Sequence, residues 1–428
     1  MRRRAFLKSA TALAAAASLP VSVSATAAVR RSGAVFVPGY RIARAYFAGW
    51  PALDHPRLAR AVPKDYGGIV RMITRVGPEG ETEQALFPVN GHDVAVSPDG
   101  RLGFFSGFED AGMAAFDLAT LDMVARAEAA GDGWRGGGHA VYVDGGRLLA
   151  VTERAPSGGY RGEPDRHFGQ VTLRDPESLK VVERMSCHGI DPHEIRLLAD
   201  GEHVAMANYG STFPAGFQSH SVPRHIVEPS VTIVNLKSGK LAEKYVTGSR
   251  EMELRHICLA DRDAIVAIQA ALGPPGSDQG FRRTEAYVYE SELSSASDWA
   301  FTPAPPLLLR RGDSGGFATL GPDRLRPAMR HGLSIEYDAT HGEAIATFPA
   351  SHRVMVFDGR TGDLKQAIDT SGQGLDYPCG LTLLPDGEHY AVTGFWKNLY
   401  VYERGTHRLV RDRCSYATFF GHRHIVSV

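Results

Sequence analysis

Short runs of alternating apolar and polar residues recur along the chain, and most of them end in a turn that contains Asp. One such run starts at His92, alternates through Val94 and Val96, and ends at Asp99 and Gly100. Alternation with a period of two predicts a β-strand with one buried face. Related runs start at His139, His193, His256, His331, Cys379 and His424. A strand motif repeated in this way is typical of a β-propeller, in which each repeat forms one blade.

The ends of the chain complement each other. Residues 43–50, 68–74 and 83–89 read as three strands that no such motif precedes, whereas the run at His424 has no strands after it. Joined, they make one four-stranded blade and leave no open sheet edge between the first and last blades. We therefore predict an all-β protein: a seven-bladed β-propeller over residues 39–428, with the ring closed by the C-terminal strand joining the N-terminal strands.

The first residues predict export. Arg3, Arg4, Phe6, Leu7 and Lys8 precede an alanine-rich apolar run over residues 10–19. This arrangement resembles the bacterial twin-arginine signal, and an ordinary secretory signal is the alternative. We assign residues 1–27 to a twin-arginine signal peptide and residues 28–38 to a linker. The expectation is a periplasmic protein, exported by the twin-arginine pathway, with no membrane span in its mature part.

Composition excludes one class of partner. The 428 residues carry a formal net charge of −1, which gives no electrostatic case for binding nucleic acid. The four cysteines (Cys187, Cys258, Cys379 and Cys414) cannot be paired from the sequence.

The residue that opens each repeat marks a candidate metal site. The innermost strand of a blade borders the central channel, so these residues are expected to form a ring there. The ring consists of His92, His139, His193, His256, His331, Cys379 and His424. Imidazole and thiolate are preferred ligands of iron, copper and zinc, but a seven-bladed shaft is too wide for all seven groups to reach one ion. A subset or a small cluster is therefore expected; the alternative is a structural histidine inside each blade, as in WD-repeat propellers.

Asp191, Pro192, His193 and Glu194 form the densest local group of such residues. The sequence contains no nucleophile elbow, phosphate loop or Cys-x-x-Cys-His haem motif, so no catalytic residue is predicted.

These features resemble a known family. The twin-arginine start, the repeats opened by histidine, and the segment from Tyr377 to Gly387 are similar to a bacterial family of exported propellers, domain of unknown function 1513. Its members are often encoded beside imelysin-type iron-uptake proteins and di-haem oxidoreductases, which implies partners of those kinds and a role in iron acquisition. A more distant resemblance, through Asp191–Glu194, is to nitrous oxide reductase, although Cys379 departs from an all-histidine ring.

Three functional hypotheses follow. The first is a periplasmic propeller that binds a transition metal, with iron expected and copper as the other ion, and that assists iron uptake without catalysis. The second is a copper- or iron-dependent oxidoreductase. The third is a metal-free scaffold for protein interaction.

Overall fold

Seven four-stranded antiparallel sheets make up the fold in a computed structural model of the protein. It describes residues 33–43, 55–108, 110–156, 158, 162–212, 225–261, 264–271, 303–312, 316–395, 397–418 and 424–428. The sheets are the blades of a β-propeller, as predicted. Among the described residues no helix is long and apolar enough to cross a membrane.

The blades follow one another along the chain. Blade 1 contains β1 (Val35–Ala43), β2 (Ile69–Val76), β3 (Thr82–Phe87) and, from the end of the chain, β30 (Val426–Ser427). Blade 2 contains β4 (Gly91–Val96), β5 (Leu102–Gly107), β6 (Gly112–Asp117) and β7 (Met123–Glu128). Blade 3 contains β8 (Arg135–Val143), β9 (Leu148–Arg154), β10 (Phe168–Arg174) and β11 (Val181–Ile190). Blade 4 contains β12 (Pro192–Leu197), β13 (His203–Asn208), β16 (Ser230–Asn235) and β17 (Leu241–Val246), with the short pair β14 (Ser211–Thr212) and β15 (His225–Ile226) inserted.

The last three blades have the same order. Blade 5 contains β18 (Met252–Leu259), β19 (Ala264–Ala271), β20 (Leu307–Arg310) and β21 (Phe317–Thr319). Blade 6 contains β22 (Ile335–Asp338), β23 (Glu343–Phe348), β24 (Arg353–Asp358) and β25 (Leu364–Asp369). Blade 7 contains β26 (Pro378–Leu383), β27 (His389–Gly394), β28 (Lys397–Glu403) and β29 (Ser415–Thr418). Short 3-10 turns span Asp144–Gly146, Pro164–His167, Asp323–Ala328, Pro349–Ser351, Ser371–Gln373 and Arg411–Arg413.

Burial changes from the inside of a blade to its outside. Every residue of β5, the second strand of blade 2, is buried, because neighbouring blades cover both faces of the sheet. The outermost strand, β7, alternates between half-buried and exposed residues. Aromatic side chains fill the space between blades: Phe36 and Phe87 of blade 1 pack with Phe105 and Phe116 of blade 2.

Both ends of the chain meet in blade 1, as predicted. Strand β30 pairs with β1 through Val35–Ser427 and Phe36–Val426. The start of β1 differs from the prediction, however, because Val35 lies within residues 28–38, which were assigned to a linker. Val35, Phe36 and Val37 are 4%, 2% and 0% exposed, so the start of this strand is a continuous apolar run and lacks the alternation of apolar and polar residues that marks a half-buried strand. Of the strand predicted at residues 43–50, residues 44–50 lie outside the described part of the chain.

A recurring turn joins the third and fourth strands of a blade. In blade 2 the Asp117 carboxylate accepts hydrogen bonds from the backbone N–H groups of Ala119 and Thr120, at 2.9 and 2.8 Å. The second residue before the fourth strand has a left-handed backbone. Leu121 and Leu179 occupy this position in blades 2 and 3, with φ of 58° and 57°. Both leucine side chains are buried, and this packing offsets the strain of the backbone.

The seam of blade 1 generates the first prediction. Deleting residues 426–428 removes β30 and uncovers one edge of β1, so the free energy of unfolding should fall by more than about 2 kcal/mol. The control is Ser427→Ala, which keeps the backbone pairing and removes the hydrogen bonds of the hydroxyl with the Leu383 carbonyl and the Thr382 hydroxyl. It should cost about 1–2 kcal/mol at most. The measurement is denaturant unfolding of both variants. Equal stability of the truncated and complete proteins would contradict this role of the seam.

Candidate metal centre

The residues that open the repeats lie at irregular points of the innermost strands. In blades 2, 3, 4 and 5 the pairing register shifts next to the anchoring histidine. The shifts lie between Gly91 and Asp93, Gly136 and Ala140, Pro192 and Ile195, and Leu254 and His256. A β-bulge breaks the strict alternation of side chains and re-aims one of them. The strand geometry therefore turns these imidazoles toward the central axis.

Five of the predicted residues converge there and form what we call the histidine cluster. Its members are His92, His139, His193, His256 and His424. One ligand atom from each lies within 4.8 Å of those of the others, and all five side chains are buried. The rings contact one another at centroid distances that include 4.3 Å between His92 and His424 and 4.4 Å between His139 and His193.

Hydrogen bonds fix three of these rings from outside the cluster. The Nδ1 atom of His139 donates to an Asp93 carboxylate oxygen at 3.0 Å. The Nδ1 atoms of the other two rings donate to backbone carbonyls: His193 to that of Gly137, and His256 to that of Leu333. A carbonyl or carboxylate oxygen can only accept, so Nδ1 carries the proton and Nε2 presents a lone pair. The Nε2 atoms of these three rings are buried and have no hydrogen-bond partner. Histidines that bind metals usually have this arrangement: one ring nitrogen donates a hydrogen bond to the protein, and the other faces the ion.

The other two members meet across the seam of the ring. The Nε2 atoms of His92 and His424 are 2.8 Å apart. Two lone pairs repel each other at this distance, so the contact requires either an N–H donor on one ring or a cation shared by both.

Burial keeps three rings of the cluster in the protonation state that can bind a metal ion. It lowers the pKa of His92, His193 and His256 well below the usual range of histidine, and the neighbouring imidazoles lower it further. These rings are therefore neutral at pH 7, which is the protonation state that a metal ligand needs.

Aromatic rings and an ion pair cover the cluster on the side of the loops that connect second to third strands. Phe108 stacks on His92 at 4.4 Å, and Tyr209 contacts His193 at 4.5 Å. The Arg154 guanidinium lies over both aromatic rings, at 4.7 and 5.1 Å, and pairs with Asp191. Arg154 and Asp191 are both buried.

On the opposite side a cavity of about 190 Å³ occupies the central shaft and extends along the inner strands toward the first hairpin turns. His139, His256 and His424 stand at its inner end. The charged residues that line it are Asp93, Glu194, Arg196 and Glu336.

His331 is not part of the cluster, although it was predicted as one of its ligands. In sequence, Asp338 follows His331 as Asp99 follows His92, but the two aspartates lie at different places in their blades. Asp338 is the last residue of β22, opposite Glu343 of β23, whereas Asp99 lies in the turn after β4. The repeat motif in blade 6 is therefore displaced along the strand. The residue of this blade that contacts the cluster is Leu333, whose carbonyl oxygen accepts the hydrogen bond from Nδ1 of His256. The Nε2 atom of His331 instead lies 3.4 Å from the Arg255 guanidinium.

Cys379 also lies outside the cluster. Its buried thiol donates to the Tyr377 carbonyl at 3.3 Å. The adjacent Gly380 packs closely against the backbone of His424 and the side chain of Ile425, so backbone fills the space on that side of the axis.

The group Asp191–Glu194, predicted as the densest, divides into two parts. Asp191 pairs with Arg154 above the cluster. Glu194 lies in the shaft, where one of its oxygens accepts from the backbone N–H of Ile257 and the other binds Arg196. Only His193 of this group belongs to the histidine cluster.

A second group of potential ligands is a network of ion pairs. Asp338, His341 and Glu343 lie close together, but Asp338 binds Arg404 and Glu343 binds Lys365 and His407. Protein cations therefore already neutralise its carboxylates, which distinguishes it from the histidine cluster.

Comparisons with known proteins identify a family and a fold. The sequence matches the family described as "Protein of unknown function (DUF1513)" over residues 86–412. No curated protein sequence matches the chain. Among solved structures, Kuenenia stuttgartiensis hydrazine synthase is 14% identical with a TM-score of 0.51, over 82% of this chain and 92% of that one. The C-terminal WD40 domain of Sif2 is 9% identical with a TM-score of 0.45, over 77% and 73%. At 14% identity the first similarity shows the fold alone.

Gly138 generates the second prediction, because it lies against the cluster. A Cβ atom on Gly138 would be 2.8 Å from Cδ2 of His92 and 2.9 Å from Cε1 of His193, and its φ is +105°. Gly138→Ala should therefore lower the free energy of unfolding by about 1–3 kcal/mol more than Gly145→Ala does. Gly145 is the matched control, since it also has a positive φ, +65°, but open space around it. Equal losses in denaturant unfolding would mean that the cluster tolerates the added methyl group.

Proposed function

The chain belongs to the family described as a protein of unknown function (DUF1513), and we propose that this member binds a transition-metal ion in its histidine cluster. One observation carries the proposal. Three buried Nε2 atoms without hydrogen-bond partners, those of His139, His193 and His256, lie in one cluster while Nδ1 of each ring is held from outside. Leaving a buried polar atom unsatisfied is costly, so such atoms call for a ligand.

The dimensions of the cluster fit one ion. Two nitrogen atoms bound to the same ion at about 2.1 Å are at most about 4.2 Å apart. The ligand atoms of the cluster lie within 4.8 Å of one another, so the most distant atoms must approach slightly for all five to bind one ion. The separation of 2.8 Å between the Nε2 atoms of His92 and His424 is close to that of neighbouring ligands on one ion.

The ligand type selects the class of metal. All five donors are imidazole nitrogens, which suit iron, copper, zinc and nickel. Calcium and magnesium require oxygen ligands. The Asp93 carboxylate supports the site indirectly, because its hydrogen bond to His139 orients that ring and fixes the tautomer whose Nε2 faces the cluster.

We propose iron as the bound ion and the periplasm as the compartment of the protein. The support is the twin-arginine-like start at Arg3 and Arg4, together with the family resemblance described above. In this proposal the protein assists iron acquisition beside an imelysin-type protein or a di-haem oxidoreductase. The proposal assigns no catalytic step to the chain.

The third prediction tests the site directly. Protein made without an affinity tag should bind close to one equivalent of Co²⁺ or Fe²⁺ per chain, and His193→Ala combined with His256→Ala should reduce binding at least about tenfold. His331→Ala is the matched control, a buried histidine outside the cluster that should leave binding unchanged. The measurements are metal analysis after dialysis and the visible absorption of bound Co²⁺.

The outcomes separate the three functional hypotheses. Folded wild-type protein that binds no metal would contradict the proposal and favour a metal-free scaffold. Loss of binding in His331→Ala as well would contradict the assignment to these five residues. Visible absorption of the natural metal that bleaches with a reductant would favour an oxidoreductase.

The fourth prediction concerns stability. An ion that binds only the folded protein stabilises it by about 4 kcal/mol at a thousandfold excess over its dissociation constant. Removing the ion with a chelator should therefore lower the unfolding midpoint of the wild-type protein. The double variant His193→Ala and His256→Ala should show no such response. An identical chelator effect in both proteins would place the ion elsewhere.

A further inference from the structure

The central shaft leads to the histidine cluster from one side. Residues from the inner strands of all seven blades line it, from Val96 and Tyr142 near the first hairpin turns to His139 and His256 at the inner end. The buried Nε2 atoms of both histidines have no hydrogen-bond partner, so the cavity ends at nitrogen atoms that can still accept a ligand.

The shaft carries more negative than positive charge. Three carboxylates line it, those of Asp93, Glu194 and Glu336, against the single guanidinium of Arg196. Arg196 binds Glu194 at 2.7 Å and Glu336 at 3.1 Å. The side chains of Arg196, Glu336 and Asp93 are 34%, 25% and 20% exposed, and that of Glu194 is 6% exposed. Glu336 and Asp93 are therefore the carboxylates of the shaft that solvent reaches most readily.

The opposite side of the cluster does not favour a cation. Phe108 and Tyr209 pack directly on its rings, and the Arg154 guanidinium lies above them. Asp191 forms an ion pair with Arg154, but it is the Arg154 guanidinium that contacts the faces of the aromatic rings. The charge nearest to these rings is therefore positive. A cation that approached from this side would have to displace buried side chains.

We propose that the acidic shaft is the path by which a hydrated divalent transition-metal ion reaches the histidine cluster, with Glu336 as the first carboxylate to contact it. A narrow channel with walls of low dielectric constant focuses the field of its charges and raises the local concentration of the opposite ion. Carboxylate oxygens can replace water molecules around the ion before the imidazoles bind it. This inference rests on the proposed function and adds the route of loading.

The fifth prediction is kinetic. Stopped-flow mixing of metal-depleted protein with Co²⁺ at low ionic strength should show that Glu336→Gln lowers the association rate constant by about 3- to 10-fold. The dissociation rate constant should fall by a similar factor, because a group on the path acts on both directions and leaves the affinity nearly unchanged. The matched control is Glu388→Gln, which removes the same charge from an exposed turn of blade 7.

Three results would overturn the inference. They are association of Glu336→Gln at the wild-type rate, equal slowing by Glu388→Gln, and faster association of Phe108→Ala, which would open the opposite side. All three presuppose Co²⁺ binding by the wild-type protein, so they leave the proposed function intact. Wild-type protein that binds no Co²⁺ would overturn both proposals.

Discussion

The pairing of β30 with β1 is the interaction on which the candidate site depends. It brings His424, next to the last strand, within 2.8 Å of His92 in blade 2. Residues far apart in the sequence therefore become neighbours only when the ring is closed. Assembly of the site and completion of the fold are thus one event, and a ligand shared by these two rings would stabilise the seam itself.

The histidine cluster costs free energy that the propeller fold does not require. Each buried nitrogen without a partner costs about 1–3 kcal/mol, and His139, His193 and His256 each contribute one. The β-bulges that aim these rings inward also give up regular pairing in the inner strands. An apolar side chain at these positions would leave no polar atom unsatisfied and would avoid that cost. A ligand that satisfies the nitrogens accounts for the arrangement better than packing does.

The repeat predicted the blade count, the closing strand and five members of the cluster, because all three follow from local spacing. His331 shows where spacing fails: its distance in sequence to Asp338 equals that from His92 to Asp99, yet Asp338 ends a strand instead of forming a turn. Strict alternation would point Asp93 away from the axis, because it adjoins His92. The pairing register shifts between Gly91 and Asp93, and Asp93 lines the shaft. Arg154 and Glu336 carry no local signal, since only the assembled ring gives them their positions.

The charge of an ion bound in the cluster would make the shaft part of the site's chemistry. Imidazole ligands carry no negative charge that would offset the charge of a divalent ion, and burying an unbalanced charge is expensive. Carboxylates among the ligands would offset it but would also bind oxygen-preferring ions such as magnesium. With an ion in the cluster, Asp93 and Glu194 would supply counter-charge from beside the ligands, and the ligand set itself would stay all-imidazole. Glu336 would have a different role, because it is more exposed and would attract an ion instead of balancing a buried one.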